Sequence, residues 1–396
     1  MNTNTLTARF MMPHPGQKRI LTAPQTYRVV ACGRRFGKTT AGQMALVQTA
    51  LMGGAGWWLS PTYGMANQVW RDLKAALGRA ATNISESERR IELPTGGSIS
   101  IRSAHNPDLL RGAGLDLAVL DEAAFMEGRV WPSVVRPMLL DRGGGALFLS
   151  TPFGRNWFWE LFKLGIDPQE PRWASFHFPS DANPAITADD LADIRRTTPE
   201  RIYREEYLAQ FIDDAGQVFR DIHRAATAQP AHPIDGRRYV AGVDWGREHD
   251  YTAIAVIDAA TGVMVALDRF TGIGWAVQRG RLKALCDRWR PAVIWAEANS
   301  IGAVNIEALQ AEGLPVRPFH TTARSKAHII EGLALALERE EITLLDDDVL
   351  KGELAGYTLE RMAGGGYRYN APSGGHDDTV IALALAWYAA RSGGFR

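Results

Sequence analysis

Along the first half of the chain, short apolar runs alternate with longer segments of helical periodicity. YRVVACG, starting at Tyr27, reads as a buried strand, and KTTAGQMALVQTALM, starting at Lys38, as the helix after it. GWWLSPT is strand-like, and RRIELPTGGSISIRSA predicts a hairpin around Gly96-Gly97. LDLAVLDEAAF and GGALFLSTP are two further buried strands bounded by Gly and Pro. Strands alternating with helices predict an α/β domain on a mostly parallel, doubly wound sheet. From Ala188 to Phe211 the pattern turns into one charged amphipathic helix, expected as a solvated arm.

The pattern then restarts. TAQPAHPIDGRR, from Thr227 to Arg238, is rich in Pro and polar residues and is the predicted linker. Beyond it YVAGVDWG opens a new strand series, and YTAIAVIDAATGVMVALDRF predicts a hairpin turning at Thr261-Gly262. A helix, the strand AVIWAEAN and further alternation lead to a closing helix, HDDTVIALALAWYAARS. The expected organisation is a first domain at 1–226 ending in the helical arm, a linker at 227–238, and a second α/β domain at 239–396.

Composition narrows the function classes. With 396 residues the chain can bury two cores, and 46% hydrophobic with 22% charged residues is the balance of a soluble globular protein. Cys32 and Cys286 are the only cysteines, which excludes a disulfide framework or a cysteine zinc site and suits a reducing cytosol. MNTNTLTARFMM lacks the apolar core of a signal peptide, and the longest apolar stretch, VIALALAWYAA, is too short to span a bilayer. No membrane role is expected. Lys+Arg and Asp+Glu both total 44, so contact with nucleic acid must come from local basic patches. Arg324 and Lys326 in TTARSKAH are candidates.

ACGRRFGKTT, Ala31 to Thr40, carries the first chemistry. A phosphate-binding loop reads GxxxxGK followed by Ser or Thr, with backbone N–H groups around the phosphates and Lys on the outermost one. Here Cys32 stands where the first Gly belongs, which is tolerable if the turn needs no positive φ there. The order strand, glycine loop, helix supplies the required context, and Gly33, Arg34, Arg35, Gly37, Lys38, Thr39 and Thr40 form the candidate ATP-binding set. Lys38 reaches the outer phosphates and Thr39 takes Mg²⁺. LDLAVLDEAA ends a hydrophobic strand in Asp121-Glu122, where the Asp helps hold Mg²⁺ and the Glu activates the attacking water. Gln17, upstream in HPGQKR, has an amide able to read the adenine edge, or is a surface residue. Ser150-Thr151 in FLSTPFG either senses the phosphate or makes a simple turn. Arg34 reads as a charge stabiliser in cis or a phosphate sensor, or is a surface arginine, and Arg111 in NPDLLRGAGLD is a second candidate able to reach a neighbouring subunit's ATP.

A second constellation is acidic. Asp244 lies in GVDWGREHD with Gly246 making room beside it, Glu297 ends VIWAEAN, and GGHDDTV sets Asp377 and Asp378 at the start of the last helix. Isolated carboxylates on buried strands are costly unless neutralised. Drawn together, Asp244, Glu297 and Asp378 can hold two Mg²⁺ or Mn²⁺ ions for phosphodiester hydrolysis. An ordinary helix N-cap explains Asp377 or Asp378 alone, but not Asp244 and Glu297. Asp250 either assists or serves a turn.

Taken in order, CGRRFGKTT, PTYGMANQVW, LRGAGLDLAVLDEAA, LFLSTPFGR, YREEYLAQFIDDAGQVF, GVDWGREHDYTAIAVI, IWAEAN and GGHDDTVIALALA make the chain resemble the large terminase subunits of tailed bacteriophages, prophages and gene transfer agents. The resemblance covers nearly the whole chain, and that family's phosphate loop often lacks the first Gly and carries arginines. It implies an additional-strand P-loop ATPase followed by an RNase H-like nuclease, acting in the cytoplasm of the bacterial host cell. It also implies a homo-oligomeric ring, usually a pentamer, on the portal protein of an empty capsid, working with a small terminase subunit to pump double-stranded DNA inward and cut the concatemer. By position, Lys38 and Thr39 become phosphate and Mg²⁺ contacts, Asp121 metal-associated, Glu122 the catalytic base, and Ser150-Thr151 the link from hydrolysis to movement. Asp244, Glu297 and Asp378 become the nuclease ligands. Two other classes compete: a helicase-nuclease of DNA repair or recombination, and a catalytically silent DNA-binding, capsid-associated protein. The lack of a second ATPase-like half counts against the first, and Lys38, Glu122 and the acidic trio count against the second.

Overall fold

The computed structural model describes residues 12–392 apart from positions 111, 113, 214–215, 247–249, 300–301, 362–366 and 373. Its contacts separate two compact units. One holds the residues through Arg196 and Arg201–Asp213; the other holds Thr197–Glu200, Asp214–Arg361 and Gly366 onward.

In the first unit, α1 (Pro15–Thr22) precedes β1 (Tyr27–Cys32), α2 (Lys38–Leu51), β2 (Ala55–Ser60) and α3 (Asn67–Leu77). The strands β3 (Asn83–Ser85), β4 (Arg90–Glu92), β5 (Ser98–Ser103), β6 (Leu117–Asp121), β7 (Gly145–Ser150) and β8 (Trp173–Phe178) complete one sheet in the order β3-β4-β5-β2-β6-β7-β1-β8. From β5 to β8 every pairing is parallel, while β4-β5 is the antiparallel hairpin expected around Gly96-Gly97. Near-continuous apolar runs suit these strands because both faces are covered. Val30, Trp58, Val119 and Leu147 pack on one face, and Val29, Trp57, Leu120 and Phe148 on the other. The strand β7 lies between β1 and β6, so the ends of three parallel strands carry the phosphate loop, Ser150-Thr151 and Asp121-Glu122 along one edge. The carboxyl edge of such a sheet is where ligands bind.

Two short helices, α4 (Arg136–Leu140) and α5 (Trp157–Leu164), cover the sheet. The single charged helix expected over Ala188–Phe211 is instead two, α6 (Ala188–Thr197) and α7 (Glu200–Glu206). Pro199 explains the break, since it disfavours the helical conformation of Thr198 before it. The arm differs along its length as well: α6 buries no residue, whereas α7 buries Arg201, Tyr203, Glu205 and Glu206.

In the second unit, α8 (Ile222–Ala225) and β9 (Ala226–Ala228) precede the main sheet. Phe219, Ile222 and Ala226 are buried in that unit's core with Val240 and Leu344. The boundary between compact units therefore falls ahead of Thr227–Arg238. The sheet comprises β10 (Tyr239–Asp244), β11 (Thr252–Asp258) and β12 (Val263–Phe270), then, after α9 (Trp275–Trp289), β13 (Ile294–Glu297), and after α10 (Gly302–Ala311), β14 (Val316–Phe319). Its order is β12-β11-β10-β13-β14, antiparallel at β10-β11-β12 and parallel at β10-β13-β14. The hairpin turning at Thr261-Gly262 joins β11 to β12.

The chain continues through α11 (Ala323–Glu338), β15 (Leu344–Leu345), α12 (Asp348–Gly356) and the hairpin β16 (Thr358–Arg361)–β17 (Tyr367–Asn370) to α13 (Asp378–Ser392). The closing helix α13 is buried nearly all round, which accounts for its apolar run. It approaches β10 so closely that a Cβ on Gly242 would collide with the Ala382 carbonyl and the Ala386 amide. No helix among the described residues is long and apolar enough to cross a membrane.

Candidate active sites

The phosphate loop joins β1 to α2. Cys32 is still in the strand, and the left-handed positions are Arg35 (φ 64°) and Gly37 (φ 95°), so no glycine is needed at Cys32. Glycine is needed one residue later, where a Cβ on Gly33 would meet the Tyr207 carbonyl and the Ser180 hydroxyl. The loop is held from outside. Gly33 N donates to the Phe178 carbonyl at 2.9 Å. Ser180 Oγ donates to the Arg34 carbonyl at 2.7 Å, and Asn183 Nδ2 to the Arg35 carbonyl at 2.6 Å.

Opposite the loop, Lys38 Nζ lies 3.1 Å from Glu122 Oε1. Burial acts to lower Lys38, but Glu122, Cys32 and Asp121 outweigh it and hold the ammonium above its ordinary value. Glu122 has a left-handed backbone (φ 56°), and Ser150 Oγ donates to its Oε2 at 3.4 Å while accepting from Ala124 N at 3.2 Å. Asp121 is buried, and its Oδ1 has no hydrogen-bond partner. Burial, with Glu122 adjacent, pushes Asp121 up to about 7 against the pull of Lys38. A buried carboxylate oxygen without a donor fits a cation, directly or through its water. Thr39 and Thr40 are half-buried in the first turn of α2, and Thr151 is buried beside Ser150.

The remaining candidates are placed differently. Gln17 reaches the loop, but both ends of its amide engage the backbone: Nε2 donates to the Gly37 carbonyl at 2.9 Å, and Oε1 accepts from His14 N at 3.1 Å. Arg34 extends to α7, where its Nε lies 2.6 Å from Glu206 Oε2. Arg35 is exposed, and Arg111 lies outside the described residues.

In the second unit, Asp244 at the end of β10, Glu297 at the end of the parallel neighbour β13 and Asp378 at the start of α13 converge. Asp244 and Glu297 lie side by side, close enough to interact directly. Burial first, then Glu297, Asp378 and Asp377, raise Asp244 well above the usual carboxylate range. Burial, then Asp250 and Glu353, push Asp378 up to about 8 against Arg269, and its Oδ2 is buried without a hydrogen-bond partner. Asp377 pairs with Lys326 at 3.0 Å, so Lys326 faces the acidic cluster while Arg324 is exposed. Gly246 makes the expected room: a Cβ there would strike the backbone of Asp250 and Tyr251.

Asp250, His376 and Asp378 each bring a ligand atom within 4.8 Å of the others, a spacing able to hold a metal ion. Sequence reading passed over His376, and its position directly before the Asp377-Asp378 pair was the available signal. Arg269 and Glu353, both close to Asp378, gave no local signal. Carboxylates that attract protons when metal-free, one with an orphaned oxygen, suit a divalent cation.

Two enzyme classes are thus built into one chain: a P-loop ATPase with its acidic strand, and a nuclease-type sheet with clustered carboxylates. The family model described as "Terminase large subunit, T4likevirus-type, N-terminal" matches residues 30–224, and that described as "Terminase RNaseH-like domain" matches 241–389. The large terminase subunit of Thermus virus P23-45 is 31% identical over 427 residues, covering 95% of this chain and 87% of its own. That of Thermus phage G20c has the same identity and coverage. A solved large terminase from another thermophilic bacteriophage shares the fold, with a TM-score of 0.56 at 16% identity, covering 95% of this chain and 98% of its own. The chain belongs to the large terminase subunits. It combines an ATPase and a metal-dependent endonuclease for the packaging of viral DNA.

Proposed function

We propose that the first unit hydrolyses ATP to drive double-stranded DNA into a procapsid and that the second cuts the concatemer at the Asp244–Glu297–Asp378 cluster. The observation that carries this reading is the pair of buried carboxylate oxygens without a hydrogen-bond partner, Asp121 Oδ1 and Asp378 Oδ2, one in each unit. Each marks a place where a cation completes the site.

At the ATP site, Lys38 leaves Glu122 for the outer phosphates, and Thr39 with Asp121 would hold Mg²⁺, which when bound neutralises phosphate charge. Glu122, released from Lys38 and held by Ser150, takes the proton of the attacking water. Ser150-Thr151 carries the change in Glu122 into the loop after β7. Gln17 fixes the loop through Gly37, Gly33 admits the close neighbours behind it, and Arg34, Arg35 and Thr40 complete the phosphate surroundings. Arg34 acts in cis and Arg111 across a subunit boundary. At the nuclease site, Asp244, Glu297 and Asp378, with Asp377 and Asp250 beside them, would hold Mg²⁺ or Mn²⁺, which when bound activates water against the phosphodiester. The working form is a homo-oligomeric ring, a pentamer on the portal protein, with a small terminase subunit, in the host cytoplasm.

Packaging with purified proheads, DNA and ATP tests the whole. DNA protected from added nuclease, dependent on ATP and on Lys38, is the expected result. Strand unwinding by the isolated protein, without protection inside proheads, favours a helicase-nuclease instead.

A further inference from the structure

The closing helix α13 begins with two acids, and its first N–H groups need acceptors. An Asp at such a start ordinarily supplies one with its own carboxylate. Here the acceptor comes from another helix. Glu353, on α12, accepts from Thr379 N at 2.9 Å and from Thr379 Oγ1 at 2.6 Å through the same oxygen, Oε2. Its other oxygen meets Arg269 Nη2 at 3.1 Å. Arg269, from β12, lies 3.8 Å from Asp378 Oδ2, and its guanidinium sits 3.4 Å from the centre of the Tyr251 ring. The side chains of Glu353 and Asp378 are 8% and 6% exposed, so this network is shielded from solvent.

We propose that Glu353, backed by Arg269, is a positioning residue for the nuclease centre: it caps α13 so that Asp377 and Asp378 are spared that task. Their carboxylates then serve the site, Asp377 facing Lys326 and Asp378 keeping a buried oxygen that no hydrogen bond engages. The proposal rests on the reading of Asp244, Glu297 and Asp378 as metal ligands. Glu353 itself acts through Thr379 and Arg269. Arg269 stacked on Tyr251 is fixed in place, and its contact with Glu353 Oε1 holds that carboxylate with Oε2 turned to Thr379.

The test follows plasmid cleavage over a series of Mn²⁺ concentrations, with Mn²⁺ binding measured by calorimetry on the same full-length preparations. Residues that support metal ligands typically change affinity about 10–100-fold. Glu353→Ala should therefore raise the half-saturating Mn²⁺ concentration by about tenfold or more while leaving substantial cleavage at saturating metal. Glu353→Gln keeps an acceptor for Thr379 N and should recover most of that loss. Thr379→Val removes only the hydroxyl contact and should give a smaller shift in the same direction, which carries the test if Glu353→Ala does not fold. An unchanged half-saturating concentration in the folded Glu353→Ala protein overturns the proposal. Equal, complete loss in Glu353→Ala and Glu353→Gln at all metal concentrations also overturns it, because Glu353 then acts at the metal itself. Asp244→Asn is the separate control: wild-type cleavage by that variant means that the metal-site reading has failed, whatever Glu353 does.

Discussion

Lys38 Nζ and Glu122 Oε1 stand 3.1 Å apart, so the cation of the phosphate loop and the acid at the end of β6 occupy each other. A nucleotide must separate them, because its outer phosphate and Glu122 compete for the same ammonium. Glu122→Gln removes the competitor's charge. This variant should bind ATP at least as tightly as the wild type, while hydrolysis falls by about 10²–10⁴-fold, the usual contribution of a general base. Lys38→Ala should lose ATP affinity instead. Equilibrium binding of a fluorescent ATP analogue, with phosphate release on the same samples, separates the two. Wild-type turnover by Glu122→Gln excludes it as the base.

The pairing of Arg34 with Glu206 leads to a different expectation. Glu206 is almost fully buried, whereas Arg34 is 46% exposed on its side chain. Removing the guanidinium leaves a buried carboxylate less compensated, and partial exposure limits the cost to about 1–2 kcal/mol. Arg34→Ala should thus lower the unfolding temperature by about 2–8 °C, as well as slow ATP turnover. Mixing tests the division of labour between the arginines. Arg111→Ala chains mixed with Glu122→Gln chains should regain some ATPase, because an intact Arg111 can then face an intact Glu122. Arg34→Ala chains in the same mixture should not. The reverse pattern exchanges the two assignments.

These relationships differ in how far the sequence announced them. The strand–loop–helix order around Lys38 and the strand ending in Asp121-Glu122 were legible because each depends on neighbours in sequence. The main strands of both sheets were legible for the same reason, since buried parallel strands are continuous apolar runs. The charge periodicity continues on both sides of Pro199 and so reads as one helix, although the proline separates α6 from α7. The boundary between units was misplaced by composition: Pro and polar residues mark Thr227–Arg238, yet Phe219 and Ile222 before it already pack into the second core. What stayed illegible was long-range. Nothing near Glu353 shows that its carboxylate will cap α13, and nothing near Glu206 shows that it will hold Arg34, because both depend on how helices pack.

The pKa of Asp378 gives a pH dependence. With its carboxyl pushed up to about 8, the folded metal-free site holds protons that the unfolded chain has released. Its contribution to stability is then fully present below about pH 4 and is lost as pH rises through about 8. Metal binding needs the deprotonated carboxylate and so runs the other way. The half-saturating Mn²⁺ concentration should fall as pH rises from about 6 to about 8, by up to about tenfold per unit for each displaced proton. Calorimetry in buffers of different ionisation enthalpy will count those protons. A pH-independent affinity, with no proton release, would falsify the assignment of Asp378 as a ligand.

Asp244→Asn separates the chemistry of the two units. Asn keeps the size of Asp but removes a charge that the cluster needs to hold metal. Asp244 is raised by burial and then by Glu297 beside it, so its ionised form is disfavoured in the metal-free protein. The substitution should therefore leave the fold intact. In metal-free solution near about pH 8 it should raise the unfolding temperature of the second unit, by about 2–4 °C per kcal/mol of repulsion relieved. The same change should reduce plasmid cleavage by more than about 100-fold in either Mg²⁺ or Mn²⁺, beyond the effect typical of a residue that only supports a ligand. ATP turnover should persist, because Lys38, Asp121 and Glu122 belong to the other compact unit. Nicking, linearisation, ATPase and thermal unfolding are followed on one preparation. Full cleavage removes Asp244 from the metal site, whereas joint loss of both activities in a stable protein means that the nuclease cluster and the phosphate loop work as one machine.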